Sequence, residues 1–316
     1  MLEALRFVQG AVAKKDFVQA LTHFSISKGL IKGYNGSMAL CSPIALDLDV
    51  MPKAVPFTKA IQTCKDTVQI HLTPGNRLAI KSGPFRAFVD CTEEPYPDLQ
   101  PEGEKVELGN GFLKAMKRLE PFIADDASRP WARGILFLNQ SAYATNNITL
   151  VEYWLGYTFP VAVNIPKPAV TELLRIGEEP THLQLTETSV TFHFSENRWL
   201  RTQTYSTAWP DVTKILWRES KQLPFPNGFF QGLLDLKPFV GELETVYFTE
   251  HGISTEPLEG KGASVDIPDL PEGGAYAIKQ LALLEGLADT IDFGAYPAPS
   301  LFYGPGVRGA LVGQRR

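Results

Sequence analysis

The chain has 316 residues, 44% of them hydrophobic and 21% charged, with a formal net charge of −5. These values describe an ordinary globular protein of two or three domains, whose overall charge does not attract nucleic acid. No apolar run approaches the twenty or so residues of a membrane span, and the opening MLEALR carries no signal-peptide pattern, so a cytoplasmic location is expected. Cys41, Cys64 and Cys91 are odd in number, widely spaced and without a C-x-x-C arrangement, which gives little support to a disulfide framework or a zinc site.

In chain order, the spacing of Phe17, Val18 and Leu21 predicts a helix over residues 13–21, followed by strands in HFSISKG, LIKGYNG and MALCSPIALDLDV. The Tyr34-Asn35-Gly36 step supplies a hairpin turn, because Asn-Gly tolerates positive φ. Val55-Pro56-Phe57 opens a second helix with proline where its missing N–H costs least, and strands over residues 67–91 complete the unit. The pattern then recurs. Phe112, Leu113, Met116, Leu119 and Phe122 predict a helix from about Gly111, GILFLN, SAYATNN and ITLVEYWLGYTFPVAV read as strands, and Pro166–Arg175 reads as a helix. A third round offers a helix at Phe229–Leu236, strands in TVYFTEHG and ISTEP, a helix near Ile278–Leu284, and closing strands in PSLFYGP and VRGALVG.

The repetition is also visible residue by residue. Residues 66–99 (DTVQIHLTPGNRLAIKSGPFRAFVDCTEEPYPDL) and 180–212 (PTHLQLTETSVTFHFSENRWLRTQTYSTAWPDV) both run strand, turn, strand, basic-aromatic strand. Both close on aromatic-Pro-Asp-aliphatic, at Tyr96–Leu99 and Trp209–Val212. The offset of about 110 residues is domain-sized and too long for a solenoid or propeller period. The expected class is therefore α+β, in three similar domains over 1–103, 104–217 and 218–316, each a duplicated helix-plus-antiparallel-sheet unit.

This pattern resembles the bacterial-type DNA polymerase sliding clamps, the DNA polymerase III β subunit family. The likeness is strongest between Arg129 and Leu216. The family's R-x-x-x-x-G with a following hydrophobic strand resembles Arg129–Phe137, and its A-T-D-G-H-R-L resembles Ala144-Thr145-Asn146-Asn147-Ile148-Thr149-Leu150. Its P-x-K-x-x-x-E-L-x-R helix resembles Pro166–Arg175, its F-P-D-Y-x-x-aliphatic segment resembles Trp209–Ile215, and its closing hydrophobic strand resembles Ala310–Arg316. The chain departs from the family at Asn147-Ile148-Thr149, where it has Gly-His-Arg, and at Val312-Gly313-Gln314, where it has Met-Pro-Met. The chain is also shorter than the family's cellular members, which fits a phage or plasmid version.

The resemblance implies a homodimeric ring with helices towards a central hole and sheets outside, encircling double-stranded DNA without regard to sequence. It implies no cofactor and no catalysis. DNA polymerase and a clamp loader would dock through a short linear motif. Carried over by position, that pocket comprises Thr145, Leu150, Pro210, Lys214, Ile215, Leu311, Val312, Gly313, Gln314, Arg315 and Arg316. A DNA-encircling hole calls for diffuse positive charge and no base-reading groups. The residues expected to face DNA are Lys14, Lys15, Lys59, Lys114, Lys117, Arg118, Lys167, Arg175, Lys237 and Lys279, while acidic residues cluster in connections such as Glu93-Glu94 and Glu178-Glu179. The alternative is a clamp-fold adaptor protein, phage-derived, that does not form a ring.

Enzyme readings find little footing. The five histidines (His23, His71, His182, His193 and His251) lack metal-binding spacing, and no nucleophile elbow, phosphate-binding loop or dinucleotide fingerprint is present.

Overall fold

A computed structural model describes every residue of the chain except Asp16, Ala127, Glu259 and Arg316. Its contacts divide the chain into two compact units, residues 1–110 with 171–204 and residues 111–170 with 205–316. The class is α+β, with antiparallel sheets and short helices.

The first unit is built on a seven-stranded antiparallel sheet. In spatial order its strands are Ser25–Ser27, Leu30–Tyr34, Met38–Pro43, Trp199–Gln203, Ser189–His193, His182–Leu185 and Glu104–Glu107. Strands distant in sequence meet in the middle, where Met38 pairs with Thr202 and Ala39 with Arg201. The first repeat and half of the second therefore share one sheet. Helix Leu2–Val8 buries Ala4, Leu5, Phe7 and Val8, each large apolar side chain contributing about 1.5–3 kcal/mol on full burial. A three-stranded sheet of Gln69–Leu72, Arg77–Ser82 and Phe85–Asp90 and the helix Ala54–Thr63 complete the unit.

The expected helix over residues 13–21 does not form. Two 3-10 turns, Gln9–Ala11 and Gln19–Thr22, flank an irregular stretch, and Asp16 lies outside the described residues. The reason is burial. Phe17 is 88% exposed and Val18 52%, so neither contributes to an apolar face, and Leu2–Val8 supplies the covering helix instead.

The second unit carries a six-stranded antiparallel sheet of Leu223–Pro224, Thr290–Ile291, Ser300–Gly304, Val307–Leu311, Thr149–Pro166 and Gly134–Thr145. Here too distant strands meet: Leu150 pairs with Ala310 and Thr149 with Leu311. A four-stranded sheet follows, ordered Ser264–Asp266, Gly252–Ser254, Thr245–Thr249 and Ala275–Ala277. Helix Phe112–Leu119 buries Phe112, Ala115, Met116 and Leu119 and turns at Glu120–Phe122 into a 3-10 segment, because Pro121 has no N–H to continue the α-helix. Its Phe112 packs on Phe137 and Phe159, while Phe229 of helix Phe229–Leu236 packs on Phe248 and Phe293. The helices Lys167–Ile176 and Ile278–Ala282 fall where the sequence places them, the latter two residues shorter than expected.

Candidate functional site: an apolar pocket beside the closing strand

The aromatic-Pro-Asp segment of the second repeat folds over the outer strands of its sheet. Asp211 stands just ahead of the short helix Thr213–Leu216 and accepts hydrogen bonds from the backbone N–H and hydroxyl of Thr213, which hold its carboxyl below the usual range. Leu216 is thereby buried with Leu150, Leu301 and Ala310, and Tyr143, Trp209, Val212 and Tyr303 pack on this cluster. Trp209 meets Trp131 edge-on at 5.0 Å.

Above this floor lies a cavity of about 210 Å³ lined by Arg129, Trp131, Thr145, Asn147, Ile148, Leu150, Pro210, Val212, Ile215, Pro299, Ala310 and Val312. Of the residues expected there, Thr145, Leu150, Pro210, Ile215 and Val312 line it. Lys214 is exposed and Leu311 is fully buried in its strand; neither lines the cavity.

The end of the chain turns away after Val312. A side chain at Gly313 would meet the Tyr296 ring at 2.6 Å, so only glycine allows this close approach. The Gln314 N–H then donates to the Ala275 carbonyl at 2.8 Å, and the Tyr296 hydroxyl donates to the Gln314 carbonyl at 2.7 Å. Gln314 also accepts from the Thr245 hydroxyl through its side chain. Gly313 and Gln314 thus fasten the tail to the strand Ala275–Ala277, Arg315 is exposed beyond them, and Arg316 lies outside the described residues.

The lining residues absent from the sequence expectation are Arg129, Trp131, Asn147, Ile148, Val212, Pro299 and Ala310. Most lie in the very motifs that carry the resemblance. Pro299 had no sequence signal.

A polar network borders the pocket floor. Glu152, only 7% exposed, accepts hydrogen bonds from Ser141 at 2.7 Å and the Tyr143 hydroxyl at 2.9 Å, and pairs with Arg308. Burial alone would raise the Glu152 carboxyl, but the bonds from Arg308, Ser141 and Tyr143 outweigh it and hold it below its usual range. Trp217 covers the Arg308 guanidinium at 5.6 Å.

The expected DNA-facing cations fall into different settings. Lys14 and Lys15 are exposed in the irregular stretch rather than on a helix. Lys59, on helix Ala54–Thr63, and Lys279, on Ile278–Ala282, are exposed, and Lys237 is exposed at the start of a 3-10 turn. Lys114, Lys117 and Arg118 share the exposed side of helix Phe112–Leu119, as their spacing requires, and Arg118 donates to the Gly286 carbonyl. Lys167 is paired with Asp125 at 2.7 Å. Arg175 is paired with Glu172 and donates to the Phe7 carbonyl, so part of its charge is already answered within the fold.

Among the described residues no group of three or more His, Cys, Asp or Glu is arranged to hold a metal ion, and no helix is long and apolar enough to cross a membrane.

No family model matches the chain, and no curated protein matches it. Solved structures do. The β sliding clamp of Caulobacter crescentus superposes with a TM-score of 0.85 at 17% identity, over 100% of this chain and 97% of that one. The DNA polymerase sliding clamp of Bacillus subtilis gives 0.80 at 17% identity, over the same shares of each chain. The sliding clamp of Pseudomonas aeruginosa, DNA polymerase III subunit beta, solved bound to griselimycin, gives 0.81 at 14% identity, again over 100% and 97%. At such identities the likeness establishes the fold: this chain has the fold of the bacterial DNA polymerase III β sliding clamps.

Proposed function

We propose that this chain is a DNA sliding clamp, a non-catalytic processivity factor that closes as a homodimeric ring around duplex DNA and tethers a polymerase through the apolar pocket. The observation that carries the reading is the superposition on sliding clamps along the entire chain at a TM-score of 0.85. Two features support it. Lys114 and Lys117 project from a helix whose opposite side is core, the placement expected of diffuse contacts to phosphates. The cavity framed by Pro210, Val212, Ile215 and Val312 is apolar and open enough to take short hydrophobic side chains of a linear peptide. Such a clamp needs no chemistry of its own, because tethering works by raising the local concentration of its partner. The three domains then run over 1–103, 104–217 and 218–316, with a loader opening the ring.

The test is solution mass by light scattering over a hundredfold concentration range, followed by retention on nicked circular DNA before and after linearisation. A stable dimer that is retained on the circle and slides off the linear form is expected. A persistent monomer with no loader-dependent retention would move the chain to the adaptor reading.

A further inference from the structure

Resting on the pocket reading above, the question becomes what kind of segment this particular pocket selects. Its lining is apolar, but its rim is not. Arg129 belongs to the lining, and its guanidinium donates to the Asn147 side chain at 2.9 Å, which fixes one edge and leaves its other N–H groups outward. Arg218 stands at another edge and donates to the Pro299 carbonyl at 2.6 Å and the Ile215 carbonyl at 3.4 Å; Pro299 and Ile215 are both lining residues. Both arginines are exposed. Lys214, beside Ile215, is exposed and lies off the cavity, and the nearby Asp211 accepts hydrogen bonds from Thr213. Arg308 is different, because Glu152 and Trp217 already occupy it. Two arginines therefore flank an apolar cavity on a chain whose net charge is −5, while the Asp126 carboxylate near Arg129 is engaged by the Ser128 N–H.

A guanidinium pinned through one or two of its five donors is pre-organised for a carboxylate, since little side-chain entropy remains to be lost. We propose that the pocket selects a linear protein segment whose apolar anchor is flanked by carboxylates, one facing Arg129 and the other facing Arg218. The apolar anchor supplies affinity and the two arginines supply selection, because a basic flank would set like charges against a fixed cation. Nucleic acid offers anionic groups without an apolar anchor, which leaves an acidic linear protein segment as the occupant.

The probes are three fluorescein-labelled peptides with one Leu-Leu-Phe core, flanked on both sides by Glu, by Gln or by Lys, read by fluorescence anisotropy. Two exposed charge-assisted pairs should separate the Glu from the Gln probe by about tenfold, each pair contributing on the order of threefold at low salt. The Lys probe should be weakest, and the spread should shrink as salt rises. Arg129→Gln and Arg218→Gln should each narrow the Glu-over-Gln ratio, with an unchanged urea midpoint reporting that the variants are folded. Arg129→Glu combined with Arg218→Glu should invert the order in favour of the Lys probe.

Equal binding of all three probes, with loss only in Ile215→Ala, would overturn the flank assignment and leave the pocket intact. Absence of binding by any probe, with Ile215→Ala indistinguishable from the parent, would overturn the pocket reading and this proposal with it.

Discussion

Glu152→Ala probes how the floor beside the pocket is held. The carboxylate is buried, and its removal strips a hydrogen-bond acceptor from Ser141 and Tyr143 and an ionic partner from Arg308. All three bonds run to an ionised carboxylate and are charge-assisted, and removing one partner from such a buried pair costs about 3–5 kcal/mol. The Arg308 side chain keeps 32% of its surface exposed, so water offsets part of its loss. A net cost of about 3 kcal/mol follows, read as a lower urea midpoint at unchanged slope.

Two companion measurements isolate the cause. The Tyr143 phenol is pushed up to about 12, first by burial and then by the Glu152 charge and hydrogen bond, so Glu152→Ala should bring its ionisation down towards the ordinary tyrosine value in a difference ultraviolet titration. Glu152→Leu combined with Arg308→Met should cost less than Glu152→Ala alone, because no buried charge is then left unpaired. A midpoint within error of the parent, or a double variant as costly as the sum of its parts, would refute the reasoning.

Ile215→Ala and Val312→Ala should each weaken peptide binding several-fold while leaving the dimer mass unchanged, since both side chains line the cavity and are partly exposed. Leu311→Ala should instead cost about 2–5 kcal/mol of stability in denaturant unfolding, because Leu311 is fully buried. Lys114→Glu with Lys117→Glu should shorten retention on circular DNA, most strongly at low salt, with an unchanged urea midpoint. Stability should also fall on acidification. The His182 and His193 rings stack at 4.3 Å, and burial with the neighbouring His182 and Lys105 charges pushes His193 down to about 4. The unfolded chain therefore binds more protons below pH 6.5, so the neutral pair's contribution is present above that pH and is lost as pH falls towards 4. His193→Gln should flatten that slope of midpoint against pH.

Much of the fold was legible because it is written more than once. The aromatic and β-branched content of GILFLN, SAYATNN and ITLVEYWLGYTFPVAV and the apolar stripe of Phe112, Met116 and Leu119 locate their elements without any tertiary information. The first helix escaped because Leu2–Val8 has no side-chain cap to announce it, while Phe17, Val18 and Leu21 imitate helical spacing in a stretch that buries neither Phe17 nor Val18. Edge strands such as Glu104–Glu107 and Ser264–Asp266 are short and polar, so no hydrophobic period marks them; register with His182–Leu185 and Gly252–Ser254 creates them. Within the site, Lys214 and Gly313 follow the chain positions of lining residues, yet their backbones carry them away from the cavity.

Duplication makes the two sheet junctions equivalent in outline, and the difference between them lies in pairs that no local pattern can reveal. At the first junction Arg201 stands opposite Ala39, and its guanidinium reaches across to the Gln100 carbonyl and to Glu102 at 2.9 Å. Lys32 likewise ties down Asp98 of the first aromatic-Pro-Asp segment at 2.8 Å. Polar side chains thus fasten that closing segment to the sheet. At the second junction the corresponding pair is Ala310 opposite Leu150. Neither can span to the segment above, and the closing Trp209–Val212 is held instead by apolar packing, with the cavity left between it and Ile148, Leu150 and Val312. The first junction also keeps a cavity, of about 290 Å³, but it is lined by Lys28, Lys32, Asp98 and Gln100 beside Tyr96 and Pro97, so the arginine-for-alanine difference accompanies a polar, bridged junction at the first site and an apolar, unbridged one at the second. Ala310→Arg tests that directly: a guanidinium bridging to the overlying backbone should abolish binding of all three peptide probes alike. If the Glu-flanked probe still bound Ala310→Arg as tightly as the parent, the small residue opposite Leu150 would not be what opens the pocket.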